Sequence, residues 1–161
     1  MISKKVILTG SFGVGKTSLF NQFIHQKFSD KYLTTIGVKV NKKTVTVNNE
    51  TVSLLIWDIA GEVSPDKVPN TYFLGASGIL YVVDLSRPLT YNDVSSHIEY
   101  LKELIPGSII KLVANKKDLL SESELEEVIK NIELPADSIT SAKTGENVEE
   151  LFLSLSKEMI E

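Results

Sequence analysis

Eight consecutive residues, Gly10-Ser11-Phe12-Gly13-Val14-Gly15-Lys16-Thr17, constrain this chain more than any other stretch. They match the pattern G-x-x-x-x-G-K-[ST]. Residues 4–9 ahead of them read as a short buried strand. Residues 17–25 behind them carry apolar side chains at helical spacing (Leu19, Phe20, Phe23, Ile24). Strand, glycine loop, helix is the context the pattern requires. The glycines let the backbone curl so that successive N–H groups point inward, with the helix N-terminus behind them. Such a nest holds polyphosphate oxygens. Gly13, Val14, Gly15 and Ser18 are expected at the phosphates. Lys16 is expected to reach the β- and γ-phosphates, and Thr17 to ligate the Mg²⁺ that bridges them. The loop alone leaves the base open.

The rest of the chain alternates strand and helix signals. Residues 38–47 alternate apolar and polar, Asn48-Asn49 is a turn signal, and residues 52–57 return as a strand, so a hairpin is expected. Residues 79–83 read as a wholly apolar strand and 109–113 as another buried strand, and a short last strand ends at Ile139. Residues 91–104 and 146–159 read as helices, and Ser121-Glu122-Ser123-Glu124 as a capping box opening another. Apolar strands between helices imply an α/β fold, a parallel sheet covered on both faces, with one antiparallel edge strand from the hairpin. The 161 residues are the size of one domain, and the sequence has no repeat or linker, so a single domain over 1–161 is expected.

A second motif addresses the base. Asn115-Lys116-Lys117-Asp118 follows the strand 109–113. A carboxylate there can accept from both the N1–H and the 2-amino group of guanine. Adenine offers an unprotonated N1 and no 2-amino group, so Asp118 selects by attraction and by repulsion. Asn115 is expected to brace the loop, and Lys116 to lay its stem over the base. Ser141, Ala142 and Lys143 follow the last strand, and their N–H groups are placed to meet the guanine carbonyl.

In order along the chain, Gly10 to Thr17, Thr35-Ile36-Gly37, Trp57-Asp58-Ile59-Ala60-Gly61, Asn115 to Asp118 and Ser141 to Lys143 resemble the Ras superfamily of small GTPases, the Rab branch most closely. The resemblance implies a P-loop fold with a six-stranded, mostly parallel sheet and five flanking helices. It implies a GTP-hydrolysing switch that binds GTP and GDP at the carboxyl ends of the strands. It further implies that Thr35 and Asp58 join Thr17 at the metal, Asp58 through a bound water, and that the Gly61 N–H meets the γ-phosphate. Phe28 would stack on the guanine and Tyr32 would cover the phosphates. Lys16, Thr35, Gly61 and the residue after Gly61 would form the catalytic set. Loss of the γ-phosphate releases Thr35 and Gly61, so effector and regulator proteins would read residues near 29–40 and 60–75.

Three departures bear on turnover. Glu62 stands where the family commonly has glutamine. An ionised glutamate accepts from water but cannot donate, and it brings negative charge towards a negative transition state. It either orients the attacking water or is a surface residue on a loop; both readings stay open here. Phe12 replaces a usually small residue, and its ring would crowd an arginine inserted by a partner. Arg87, the chain's one arginine, follows the strand ending near Asp84 and is expected to be poorly placed to act in its stead. Pro65 and Pro69 should shorten the family's helix after Gly61 or delay it to near Pro69. Slow intrinsic hydrolysis follows from these features. A GTP-binding interaction module with negligible hydrolysis is the first alternative. A P-loop kinase or ATPase is the second, and Asp118 argues against it.

Composition removes other classes. The net charge of -4 provides no basic field for nucleic acid. Cysteine is absent, which excludes disulfides, thiolate catalysis and cysteine-ligated zinc. No signal segment, membrane span or lipidation motif is read in the chain, so a cytoplasmic monomer without a lipid anchor is expected. His25 and His97 are assigned surface or helix-end roles, and Lys42-Lys43 an edge-protecting role on the hairpin.

Overall fold

The inner strands carry apolar residues on both faces, and the two faces separate cleanly in the computed structural model, which describes residues 1–29 and 35–161. Val6, Leu8, Leu80 and Val82 point to one side, where Phe20, Phe23, Leu151, Phe152 and Leu155 cover them. Ile7, Ile79, Tyr81 and Val83 point to the other, against Val94, Ile98 and Leu101. This is the period-2 alternation of a strand buried from both sides. Phe23 and Phe152 stack with ring centroids 3.9 Å apart and pin the first helix to the last. Burying one such side chain contributes about 1.5–3 kcal/mol relative to leaving it exposed.

The strands are β1 (Ile2–Thr9), β2 (Val38–Val47), β3 (Glu50–Ile59), β4 (Ala76–Asp84), β5 (Ile109–Asn115) and β6 (Ser138–Ile139). The helices are α1 (Lys16–His25), α2 (Asn70–Phe73), α3 (Val94–Leu104), α4 (Glu122–Asn131) and α5 (Val148–Ile160). Among the described residues the sheet runs β2-β3-β1-β4-β5-β6, and only the β2–β3 pair is antiparallel. The expected six-stranded α/β architecture with five helices is therefore present. The register decides what meets at the strand ends. Leu8 pairs with Asp58 and with Leu80, so Asp58 lies beside the start of the glycine loop. Asp84 pairs with Asn115, so the ends of β4 and β5 lie together.

Local departures from the sequence reading have local causes. The third helix begins at Val94, because Pro88–Thr90 forms a 3₁₀ turn first and Tyr91 is buried under it. The last helix begins at Val148, because Asn147 is left-handed at φ 62°. The two prolines act as expected. Pro65 opens a 3₁₀ turn, Pro69 precedes a helix of four residues, and little regular helix remains after Gly61. The capping box at Ser121 and Glu124 is formed in both directions. Lys42 and Lys43 lie on the edge strand β2, where Lys43 also donates to the Phe23 carbonyl at 2.5 Å and sits over the Phe23 ring. His97, read as a surface or helix-end residue, is half-buried and bonds the Tyr81 hydroxyl through Nδ1 at 2.6 Å. Among the described residues no helix is long and apolar enough to cross a membrane.

Candidate functional site

A cleft of about 280 Å³ opens at the carboxyl ends of β1, β3 and β5. The phosphate loop forms its floor. Gly15 is left-handed at φ 102°, and a Cβ there would fall on the Asn115 amide, so only glycine lets the loop pass. Lys16 is 5% exposed, and its Nζ donates to the carbonyls of Gly10 and Ser11 at 3.0 and 2.8 Å. Burial pushes its ammonium down to about 8, with Asp58 opposing the shift and Arg87 adding to it. Gly13, Gly15, Lys16, Thr17 and Ser18 line the cleft, whereas Val14 is fully buried behind it.

Beside the loop, three oxygen-bearing side chains converge. Thr17 Oγ1 lies 2.5 Å from Thr35 Oγ1 and donates to Asp58 Oδ2 at 2.6 Å. The Asp58 carboxylate is fully buried and its other oxygen, Oδ1, has no hydrogen-bond partner. Burial raises its pKa, against the Thr17 hydrogen bond and the Lys16 charge. Two hydroxyls and a buried carboxylate with a spare oxygen form the hard-oxygen donor set that Mg²⁺ prefers when phosphates and waters complete its shell. The residues fit that ion.

Across the cleft, Asn115 ties three segments together. Its Nδ2 donates to the Val14 carbonyl at 3.0 Å, and its Oδ1 accepts from Thr140 Oγ1 at 2.9 Å and the Ala142 N–H at 3.2 Å. Lys116 is left-handed at φ 72° and starts the 3₁₀ turn that presents Asp118. Asp118 is exposed, and its Oδ1 accepts from the buried Ser141 hydroxyl at 2.7 Å. Phe28, Lys116, Asp118, Ala142 and Lys143 line this end of the cleft.

Comparisons with known proteins identify the family. The profile described as "Ras family" matches residues 5–161. The chain belongs to the Ras family. It is 37% identical over 161 residues to "Ras-related protein Rab-4B" of both Rattus norvegicus and Homo sapiens, covering 97% of this chain and 76% of the relative. It is 32% identical over 162 residues to "Ras-related protein Rab-1A" of Dictyostelium discoideum, covering 96% and 79%. As a Ras-family protein it is a GTP-binding switch GTPase.

Not every residue expected in a Ras-family site lines the cleft. Tyr32 lies outside the described residues. Gly61 lines the cleft and packs so tightly on the Phe12 main chain that a Cβ would strike it. Glu62 is exposed and does not line the cleft, while its N–H donates to the Gly10 carbonyl at 3.3 Å. Phe12 lines the cleft and is about half exposed. Arg87 comes closer than the sequence implied: its Nη1 donates to the Phe12 carbonyl at 2.9 Å, on the loop but outside the cleft lining. Asn21, Lys27 and Leu119 also line the cleft and were not anticipated. Gln22, also missed, donates from Nε2 to the Ala142 carbonyl at 2.7 Å and holds the last loop to α1. Lys27 beside Phe28 was the one readable signal, a cation next to the expected stacking ring.

Proposed function

We propose that this Ras-family GTPase holds GTP or GDP with Mg²⁺ in the cleft, reads guanine with Asp118, and hydrolyses GTP slowly without a partner. The observation that carries the reading is the convergence of Thr17 and Thr35, which line the cleft, with the buried Asp58 carboxylate behind them, beside the Lys16 loop that Asn115 braces. Thr17, Thr35 and Asp58 would hold the metal, which supplies charge stabilisation to the phosphoryl oxygens. Main-chain N–H groups of Gly13 to Ser18 and the Lys16 ammonium take the phosphate charge, and the Gly61 N–H meets the γ-phosphate. Ser141 orients Asp118 towards the base, Phe28 and Lys116 pack on its faces, and the 142–143 main chain meets its carbonyl. Catalysis is positioning plus charge stabilisation, with water attacking in line.

Slow turnover rests on two side chains. Glu62 is exposed and acceptor-only when ionised, so water is poorly held. Phe12 lines the cleft and its ring would crowd an arginine inserted by an activator. Ile36, Val63 and Leu74 are exposed apolar side chains near 29–40 and 60–75, the segments through which effectors and regulators would bind a monomer.

Single-turnover phosphate release from preloaded GTP tests the reading. The wild-type chain is expected to need hours, and Glu62→Gln to accelerate release about tenfold or more by restoring a donor. Release within seconds from the unaided wild type would overturn it. Chelation of Mg²⁺ by EDTA is expected to speed GDP dissociation about tenfold or more, because the phosphate charge loses its main counter-ion. A release rate indifferent to EDTA would remove Thr17, Thr35 and Asp58 from the role of metal ligands.

A further inference from the structure

Asp84 is a wholly buried carboxylate at the end of β4, between the phosphate loop that leaves β1 and the base-reading loop that leaves β5. Its Oδ1 accepts from the N–H and the hydroxyl of Ser86 at 2.8 and 2.7 Å, which fixes the carboxylate plane. Its Oδ2 faces two cations, Lys116 Nζ at 3.0 Å and Arg87 Nη1 at 3.8 Å. The same Arg87 Nη1 donates to the Phe12 carbonyl. A continuous chain of polar contacts therefore runs from Lys116 through Asp84 and Arg87 to Phe12. Lys116 and Phe12 both line the cleft, whereas Asp84 and Arg87 do not.

We propose that Asp84 is a positioning residue that couples the base-reading loop to the phosphate loop through Arg87. A long lysine stem without a fixed partner samples many rotamers. The buried carboxylate, itself held by Ser86, selects the one in which the Lys116 stem lies along the base end of the cleft. Arg87 carries the same constraint to the Phe12 carbonyl, so the two ends of the cleft grip the nucleotide together. This rests on reading the cleft as the guanine-nucleotide site. Simple charge predicts the opposite sign: deleting a negative charge near bound phosphates should tighten anion binding. The direction of the effect therefore separates positioning from electrostatics.

The experiment is the release rate of a fluorescent GDP analogue from the Mg²⁺-loaded wild type, Asp84→Asn, Arg87→Ala, Lys116→Ala and the Arg87→Ala/Lys116→Ala double variant. Asp84→Asn is expected to release about tenfold faster, a coupling in the usual range for residues of one network. Among the described residues Arg87 and Lys116 both face Asp84 Oδ2, so their effects should fall short of multiplying by about threefold or more. That cycle also serves if Asp84→Asn fails to fold, since the side chains of Arg87 and Lys116 are 46% and 32% exposed. Slower or unchanged release in Asp84→Asn, or effects of Arg87→Ala and Lys116→Ala that multiply independently, overturns the coupling alone. A wild-type chain that retains no GDP overturns the site reading with it.

Discussion

Asp118→Asn should exchange guanine for xanthine as the preferred base. In the wild type the carboxylate accepts from both N1–H and the 2-amino group of guanine. Hydrogen bonds to a charged partner contribute about 1.5–3 kcal/mol each, so losing the charge and one acceptor weakens GTP by about 100- to 1000-fold. Xanthine carries a carbonyl where guanine has its amino group. An asparagine amide donates to that carbonyl while its oxygen still accepts from N1–H, so xanthosine triphosphate gains by a comparable factor. The swap needs a carboxylate held in one orientation. Ser141 provides this: it is buried, and its hydroxyl donates to Asp118 Oδ1 at 2.7 Å. Competition of GTP, XTP and ATP against a labelled guanine nucleotide measures all three affinities. A variant that keeps the wild-type order would remove Asp118 from base reading.

The residues that could be read in the sequence are those whose chemistry needs a fixed spacing. Gly10 to Thr17 and Asn115 to Asp118 are each short contiguous stretches, and Gly13, Gly15, Lys16 and Thr17 of the first and Asn115, Lys116 and Asp118 of the second line one cleft. The sheet was legible for the same reason, since each inner strand alternates its apolar side chains between two covered faces. What stayed hidden depends on register. Nothing near Asp84 in sequence says that Asn115 lies beside it, and only that pairing brings the carboxylate to Lys116. Arg87 is expected to be poorly placed because it follows the strand ending near Asp84, yet the β1–β4 pairing brings it to the Phe12 carbonyl, still outside the cleft lining. His97 met Tyr81 because α3 packs over β4, a contact no local pattern encodes. A clue did exist at Asp84: a charge ending a wholly apolar strand is costly unless something pairs it.

Lys16→Met should separate the binding role of the ammonium from its role in the fold. Methionine keeps most of the aliphatic stem, so packing changes little. The charge is what is lost. In this protein the charge is nearly enclosed, and burial pulls its pKa to about 8, which means that the fold by itself disfavours the charged form. The hydrogen bonds to Gly10 and Ser11 offset only part of that cost. Melting of the nucleotide-free variant should therefore move by no more than about 2–4 °C, the shift that 1 kcal/mol produces in a chain of this size. Nucleotide binding should move far more. A unit charge about 4 Å from a phosphate charge contributes roughly 4 kcal/mol at an effective dielectric of 20, or about a thousandfold. GTP, which offers a γ-phosphate to the same ammonium, should lose more than GDP. Titration calorimetry with both nucleotides, beside thermal melts without them, reads the two quantities independently. GTP affinity within about tenfold of the wild type would mean that the phosphates are held by main-chain N–H groups alone. A collapse of the nucleotide-free melt would mean that Lys16 is chiefly a structural lysine.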